Sequence, residues 1–363
     1  MIDYCMQKNT LLFILLCGLF FSCTVPQKPL TATEAIAFAG EIEKSIKKGE
    51  NAFLDKAFDK YEFIKKLDLG DNPDGKEFSE GVITKLNLGT QLTAILNDQD
   101  NFNFIKHYEK EGRHHIVFRL FTTKDGSLNY HDYELIKSGK DCKIADAYIY
   151  LSGESLTETM HNMYYNLYKK SLKNSNYDKA LGGLNDLKEI KDMLNRGKAK
   201  EAKEMYETLP ASLKKNKTVL LINVFICSRL TEVDYNTAIQ EFNQLYPNQP
   251  NMSLMMIDGY FIQKNYEKML SAVNALDAQI NSDPLLDYYR YLSYKLMLKQ
   301  DSGVICLNRL VNNMPDFQSG YIELISAKLQ AGLKPQADSL IKVYRSKTAF
   351  DQQHLNELVS MYK

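Results

Sequence analysis

Residues 235–250 read YNTAIQEFNQLYPNQP and carry the pattern that organises the C-terminal half of the chain. A small residue, Ala238, is followed by an apolar residue four positions later and by another three positions after that. This spacing puts the three side chains on one face of a helix. Five copies occur, with 36, 31, 34 and 34 residues between successive first positions. The copies are Ala202/Tyr206/Leu209, Ala238/Phe242/Leu245, Met269/Val273/Leu276, Gly303/Leu307/Leu310 and Ala337/Ile341/Tyr344.

A period near 34 residues, with these positions ahead of a proline, resembles the tetratricopeptide repeat. The first four copies are followed by Pro210, Pro250, Pro284 and Pro315. One helical hairpin cannot bury its own apolar face, so neighbouring hairpins stack and share a continuous core. The copies are degenerate, since Met269 stands where the family has a small residue. The resemblance implies an all-α helical solenoid over residues 158–363, with a concave surface that binds a peptide or another protein.

Other segments of this region fit the same architecture. Residues 219–227 are apolar almost all round but too short to span a bilayer, which predicts a central buried helix. Residues 352–363 have apolar side chains at helical spacing and predict a capping helix. Basic side chains could line a concave surface, but a solvated helix face is the simpler interpretation, and no binding residue is assigned. These candidates are Lys214, Lys215, Lys217, Lys264 and Lys268.

Residues 31–156 predict a different module, with helices first and strands second. Thr31 and Glu34 form a capping-box pattern at the start of the first helix. Four later runs are rich in Phe, Tyr, Ile and Val and predict strands. They cover residues 102–110, 114–123, 127–137 and 142–151. Because the loops at 124–126 and 138–140 are short, neighbouring strands must be antiparallel.

This order of elements resembles the α+β cone of the nuclear-transport-factor-2-like, or cystatin-like, superfamily. That fold wraps a curled antiparallel sheet around helices. A group of lipoproteins from Bacteroidota, which carry a repeat domain behind such a module, is similar in local sequence. The matching segments are FRL at 118–120, DG at 125–126, LNYHDYEL at 128–135 and YLSGE at 150–154. No activity is established for this group of lipoproteins, so the resemblance implies none.

Enzymes of the superfamily use an Asp, Glu or His inside the cone as a general base, and the nearest candidates here are His131 and Asp132. Neighbouring residues of a strand point to opposite faces, so the two cannot line one pocket. A packed or surface position is the simpler interpretation of each. We therefore predict no catalytic residue. Small-molecule binding, or an isomerase-type or hydrolase-type activity in the cone cavity, is the alternative.

The histidines and cysteines predict no metal site and no cofactor. His107, His114 and His115 lie near each other, but adjacent strand histidines diverge and no third ligand follows at useful spacing. Cys142, Cys227 and Cys306 are isolated in sequence, which favours buried free thiols. The chain has no GxxxxGK[ST], GxGxxG, HExxH or GxSxG motif.

The first 22 residues predict a lipoprotein signal peptide. Lys8 precedes an apolar stretch at residues 11–21, about half the length that a membrane-spanning helix needs. Ser22 and Cys23 follow, ahead of polar and proline-containing sequence. This arrangement resembles the bacterial lipoprotein signal, in which the cysteine is acylated and becomes the first residue of the mature chain. The resemblance implies lipid attachment at Cys23 and a tether over residues 23–30.

The same resemblance indicates the location of the protein. In Bacteroidota, an acidic run after the acylated cysteine marks export to the cell surface, and none follows Cys23. We therefore expect a lipid-anchored protein of the outer membrane that faces the periplasm. Translation could start at Met1 or at Met6, since Asp3 is unusual in a signal peptide.

The composition excludes strong attraction to nucleic acid. The chain has 363 residues, with 45 Lys and Arg against 45 Asp and Glu, so it lacks the net basic charge typical of nucleic-acid binders. A hydrophobic fraction of 44% with 25% charged residues is typical of globular proteins. We therefore expect a non-enzymatic envelope lipoprotein whose helical repeats bind a protein or peptide partner. The oligomeric state is left open.

Overall fold

A computed structural model describes most of both predicted modules. It covers residues 28–97, 100–123, 126–165, 186–194, 196–247, 249, 251–281 and 283–362. The predicted signal peptide and Cys23 lie outside these residues, and so does most of the tether. Among the described helices, none combines the length and the apolar character needed to cross a bilayer. The element order is helices, then one antiparallel sheet, then helices to the C-terminal end, as the sequence predicts.

Among the described residues, five helices precede the sheet and pack on one of its faces. They are α1 (Ala32–Lys47), α2 (Ala52–Ala57), α3 (Lys60–Leu67), α4 (Pro73–Lys85) and α5 (Leu88–Ile95). The predicted capping box at α1 is confirmed: the Glu34 backbone N–H donates to the Thr31 hydroxyl, and the Thr31 backbone N–H donates to the Glu34 carboxylate. These two bonds satisfy backbone donors that have no partner within the helix.

The sheet is a meander of five strands in the order β1-β2-β3-β4-β5, all antiparallel. The strands are β1 (Asn101–Lys110), β2 (Arg113–Phe121), β3 (Leu128–Ser138), β4 (Asp141–Ile149) and the short β5 (Glu154–Ser155). The four predicted strands are confirmed to within a few residues, and β5 is an addition. Glu111 and Gly112 join β1 to β2 with φ values of 52° and 74°, a type I′ turn that fixes the register.

The helices after the sheet begin with α6 (Leu156–Met163), which packs against the first five. The remaining helices are α7 (186–194), α8 (Ala199–Thr208), α9 (Ala211–Lys214), α10 (Lys217–Cys227), α11 (Glu232–Leu245), α12 (Met252–Ile262), α13 (Tyr266–Ile280), α14 (Leu286–Leu296), α15 (Gln300–Asn313), α16 (Gln318–Gln330), α17 (Lys334–Ser346) and α18 (Gln352–Ser360). The predicted central helix matches α10, most of which is buried, although Phe225 is exposed. The predicted capping helix matches α18, which buries Leu355.

One turn geometry recurs along this helical region. Gly197, Lys264, Leu298 and Gly332 all have positive φ and lie between the two helices of a hairpin. The residue after each of them donates its N–H to a carbonyl five positions earlier, at 2.8–2.9 Å. This is the Schellman arrangement at a helix C-terminus. The last three turns are spaced by 34 residues, the period found in the sequence.

The helical region packs on the second face of the sheet. Val117, Phe121 and Tyr130 point away from α1–α5 and join the core of α12–α16. The first helices of four successive hairpins make the contacts at their N-terminal ends. Residues 283 and 317 contact β2, and residues 217 and 251 bond to the loop between β4 and β5. The sheet therefore lies between two helical layers, and the two predicted modules share a core.

Candidate functional site

The space between α1–α5 and the sheet is occupied by the protein's own aromatic side chains. Phe118 stacks on Phe102 with ring centroids 4.8 Å apart, and Tyr133 packs beside it. His131 lies on this face and is buried, with its Nδ1 3.1 Å from the Tyr133 hydroxyl. Burial lowers the pKa of His131 to about 4, so the ring stays neutral at physiological pH. The first candidate base is therefore a packed residue of the core.

Asp132 points to the opposite face, as strand geometry requires. Its carboxylate accepts hydrogen bonds from the Tyr108 hydroxyl and from His115, whose Nδ1 lies 3.0 Å away. Burial and the Asp132 charge raise the pKa of Tyr108 far above its usual range. Both carboxylate oxygens are engaged by neighbouring side chains, so we interpret this cluster as a polar contact within the sheet face. Sequence analysis missed it because its members lie on three different strands.

The candidate lysines of the helical region do not form one surface. Lys217 is buried, donates to the Gly153 carbonyl at 3.0 Å and pairs with Glu154 at the edge of the sheet, so a solvated face is the wrong interpretation for it. Lys214 bonds to Glu207 at 2.8 Å. Lys264 forms one of the recurrent turns. Lys217 therefore links the helical region to the edge of the sheet, and the Lys214–Glu207 pair links α9 to α8.

A groove of about 330 Å³ opens between α14, α15 and α16. One wall carries Tyr291 and Lys295, which both bond to the Glu323 carboxylate, the lysine at 2.9 Å. The rest is largely apolar and includes Ile305 and Leu333, both exposed. A groove with an apolar floor and a few fixed polar groups suits a side chain of a binding partner.

Four exposed apolar side chains lie at the ends of first helices that face away from the sheet. They are Phe225, Phe261, Leu298 and Leu333, and 40% to 85% of each is exposed. They lie in the last turn of α10 and α12 or just after α14 and α16, at intervals of 35 to 37 residues, so each of these four hairpins contributes one. We call this set the apolar row. Its last member, Leu333, also lines the groove between α14 and α16.

Cys142, Cys227 and Cys306 are free thiols, as predicted for the described part of the chain, and Cys142 is only half-buried. Burial raises the pKa of the Cys142 thiol to about 12, which keeps it protonated and unreactive. A separate group with metal-ligating atoms, His107, Glu109 and His114, lies at the end of the β1–β2 hairpin.

Comparison with known proteins gives one structural similarity. No family model matches the chain, and no curated protein matches it. A solved structure described as "MamA RS-1 ArsTM double mutant" is similar over 46% of this chain and 97% of its own length, at 16% identity and a TM-score of 0.40. So low a TM-score does not establish a shared fold, and function must be inferred from the contacts and exposures of this chain.

Proposed function

We propose that the chain is a non-enzymatic, membrane-anchored protein of the cell envelope whose helical region binds a protein or peptide partner. The helical region would be a tetratricopeptide-like solenoid, supported by the 34-residue period and by the recurrent turn. The observation that carries the proposal is the apolar row beside the groove. We interpret the recurrence of exposed apolar side chains at one end of successive hairpins, beside the groove, as the surface that a partner covers.

The packing of aromatic side chains between α1–α5 and the sheet supports the non-enzymatic part of the proposal. The alternative, chemistry in a cone cavity, needs a titratable group that faces open space. His131, the titratable residue predicted for that space, is packed among Phe102 and Tyr133. The first module would then position the helical region and brace it against the sheet.

Replacing Leu298 with aspartate should weaken partner binding at least tenfold, as expected for an anchor residue of an interface. Leu298 is 85% exposed and has positive φ, a conformation that aspartate tolerates better than leucine, so the fold should be retained. The partner is captured from envelope extract by affinity purification and identified by mass spectrometry. The Kd of each variant for this partner is then measured.

Val233→Asp is the matched control, because Val233 is 74% exposed but lies at the start of α11, outside the apolar row. It should bind the partner as the wild type does. Equal binding by the Leu298→Asp variant, or equal loss in both variants, would contradict a binding surface at the apolar row.

Replacing Cys23 with alanine should move the full chain from the membrane fraction to the soluble fraction. Without the thiol no acyl chain can be attached, and each buried methylene contributes about 0.8 kcal/mol of membrane affinity. Cys17→Ala is the control, since Cys17 lies in the predicted apolar segment and is not the acceptor. Protease treatment before and after permeabilising the outer membrane tests the periplasmic orientation. An unchanged mass and unchanged fractionation of the Cys23 variant would refute the anchor.

A further inference from the structure

The β1–β2 hairpin brings two imidazoles and one carboxylate together on the face that points toward α1–α5. Glu109 pairs directly with His114 across the two strands, and His107 lies two residues before Glu109 on the same face. The two-residue turn at Glu111 and Gly112 holds this register. The sequence-based argument against a metal rested on the lack of a third ligand. Glu109 supplies one, since it lies two residues from His107 on β1 and opposite His114 on β2, so the register of the hairpin completes the set.

The candidate ligand atoms of the two histidines and of Glu109 lie close to each other. The Leu30 carbonyl determines which nitrogen of His114 carries a hydrogen. His107 Nε2 lies 2.8 Å from His114 Nδ1, and the Glu109 carboxylate lies 3.6 Å from the same nitrogen. His114 Nε2 lies 2.8 Å from the Leu30 carbonyl oxygen. A carbonyl can only accept, so His114 Nε2 carries the hydrogen and Nδ1 has a free lone pair. The donor between the rings is therefore His107 Nε2–H.

In metal-binding histidines, the ring nitrogen that does not bind the metal commonly donates its hydrogen to a carbonyl or carboxylate, as His114 does here to Leu30. The Leu30 carbonyl fixes the His114 ring so that Nδ1 points at His107 and Glu109. All three ligand atoms lie within 4.8 Å of one another. The hydrogen shared between the two rings occupies the place that a cation would take.

We propose that His107, Glu109 and His114 form a binding site for a divalent transition metal ion of the Zn²⁺ type. Two imidazole nitrogens with one carboxylate suit Zn²⁺, Co²⁺, Ni²⁺ and Cu²⁺, whereas Mg²⁺ and Ca²⁺ require mainly oxygen ligands. Three protein ligands leave the fourth tetrahedral position to water, so the site is of the open kind.

Binding requires only a small rearrangement. Zinc–nitrogen bonds of about 2.0–2.1 Å in a tetrahedral site separate the two nitrogens by roughly 3.3 Å, about half an ångström more than the present hydrogen bond. The hydrogen on His107 Nε2 moves to Nδ1 of the same ring, which stays neutral. Glu109 is 61% exposed, so its side chain is free to turn toward the ion. An open groove lined by Leu30, Glu109 and His114 gives the ion a path from solvent.

In the experiment, the purified full chain is titrated with ZnCl₂ and binding is measured by calorimetry. A second titration with CoCl₂ is measured by the visible absorption of tetrahedral Co²⁺. We expect one site in the wild type and at least a tenfold weaker Kd in each of His107→Gln, Glu109→Gln and His114→Gln. Titration with MgCl₂ should show no binding to this site. Because Glu109 is largely exposed, Glu109→Gln should fold as the wild type does, which circular dichroism verifies.

His354→Gln is the control, because His354 is an exposed histidine on α18, outside the three-residue cluster. Its Kd for Zn²⁺ should equal that of the wild type. The proposal is overturned if the wild type binds no Zn²⁺ at micromolar concentration, if the three cluster variants bind as tightly as the wild type, or if His354→Gln loses binding to the same extent. The last result would mean adventitious surface binding only.

Discussion

Replacing Asp283 with alanine should lower the free energy of unfolding by about 3–5 kcal/mol, the usual cost of removing one partner from a buried ion pair. Asp283 is fully buried between the sheet and α14, where it accepts hydrogen bonds from Arg119, from the Tyr130 hydroxyl at 2.7 Å and from the Leu285 N–H at 3.0 Å. Without the carboxylate, the Arg119 guanidinium is a buried charge with no counterion. Urea denaturation followed by circular dichroism measures the loss.

Two variants distinguish the buried pair from a general effect of changing an aspartate. Asp316→Ala removes a carboxylate that is 86% exposed and pairs with Lys347, so its denaturation midpoint should stay at the wild-type value. Combining Asp283→Leu with Arg119→Met should recover part of the lost stability, since apolar residues can replace a buried ion pair. If Asp283→Ala and Asp316→Ala have the same midpoint, the buried pair does not hold the helical region to the sheet.

Replacing Phe118 with alanine should cost about 3–5 kcal/mol of unfolding free energy, because it removes a fully buried ring from the centre of the first module. Phe118 stacks on Phe102 and lies 5.5 Å from the Tyr133 ring, between centroids. The space left behind is apolar, and such a cavity binds small apolar molecules such as benzene. Denaturation measures the cost, and the rise in thermal midpoint on adding benzene detects the cavity.

Phe53→Ala is the matched control, since Phe53 packs on Phe38 with ring centroids 5.8 Å apart but is partly exposed. We expect a smaller loss of stability and no benzene effect. Stabilisation of the wild type itself by benzene would show an open cavity in the first module, and would favour the alternative function of small-molecule binding.

The order of the helices and strands could be predicted from local signals in the sequence. The capping box at Thr31 and Glu34, the strand runs and the 34-residue period depend on residues close together in the chain. Each of these patterns reflects backbone hydrogen bonding or the burial of one face, and both are determined within one element or one hairpin.

The packing of the helical region on the sheet was not predicted, although one signal was present. Residues 116–121 read IVFRLF, an almost continuous apolar run, which is typical of a strand buried on both faces. Sequence analysis used the run only to identify a strand. Arg119 interrupts it, and its partner Asp283 is 164 residues away, so no local pattern could pair the two. The cluster of His107, Glu109 and His114 was missed for a related reason, because the register of the hairpin brings His114 beside the other two residues.

The attachment of four successive hairpins to one sheet restricts the elasticity of the helical region. In a free array each hairpin contacts only its neighbours, so the length and the superhelical twist of the array can vary. Here residues 283 and 317 contact strand β2, and residues 217 and 251 bond to the loop between β4 and β5, which sets the distance from one hairpin to the next. A partner that engages the apolar row as we propose would therefore meet a surface of fixed pitch, and little conformational entropy would be lost on binding.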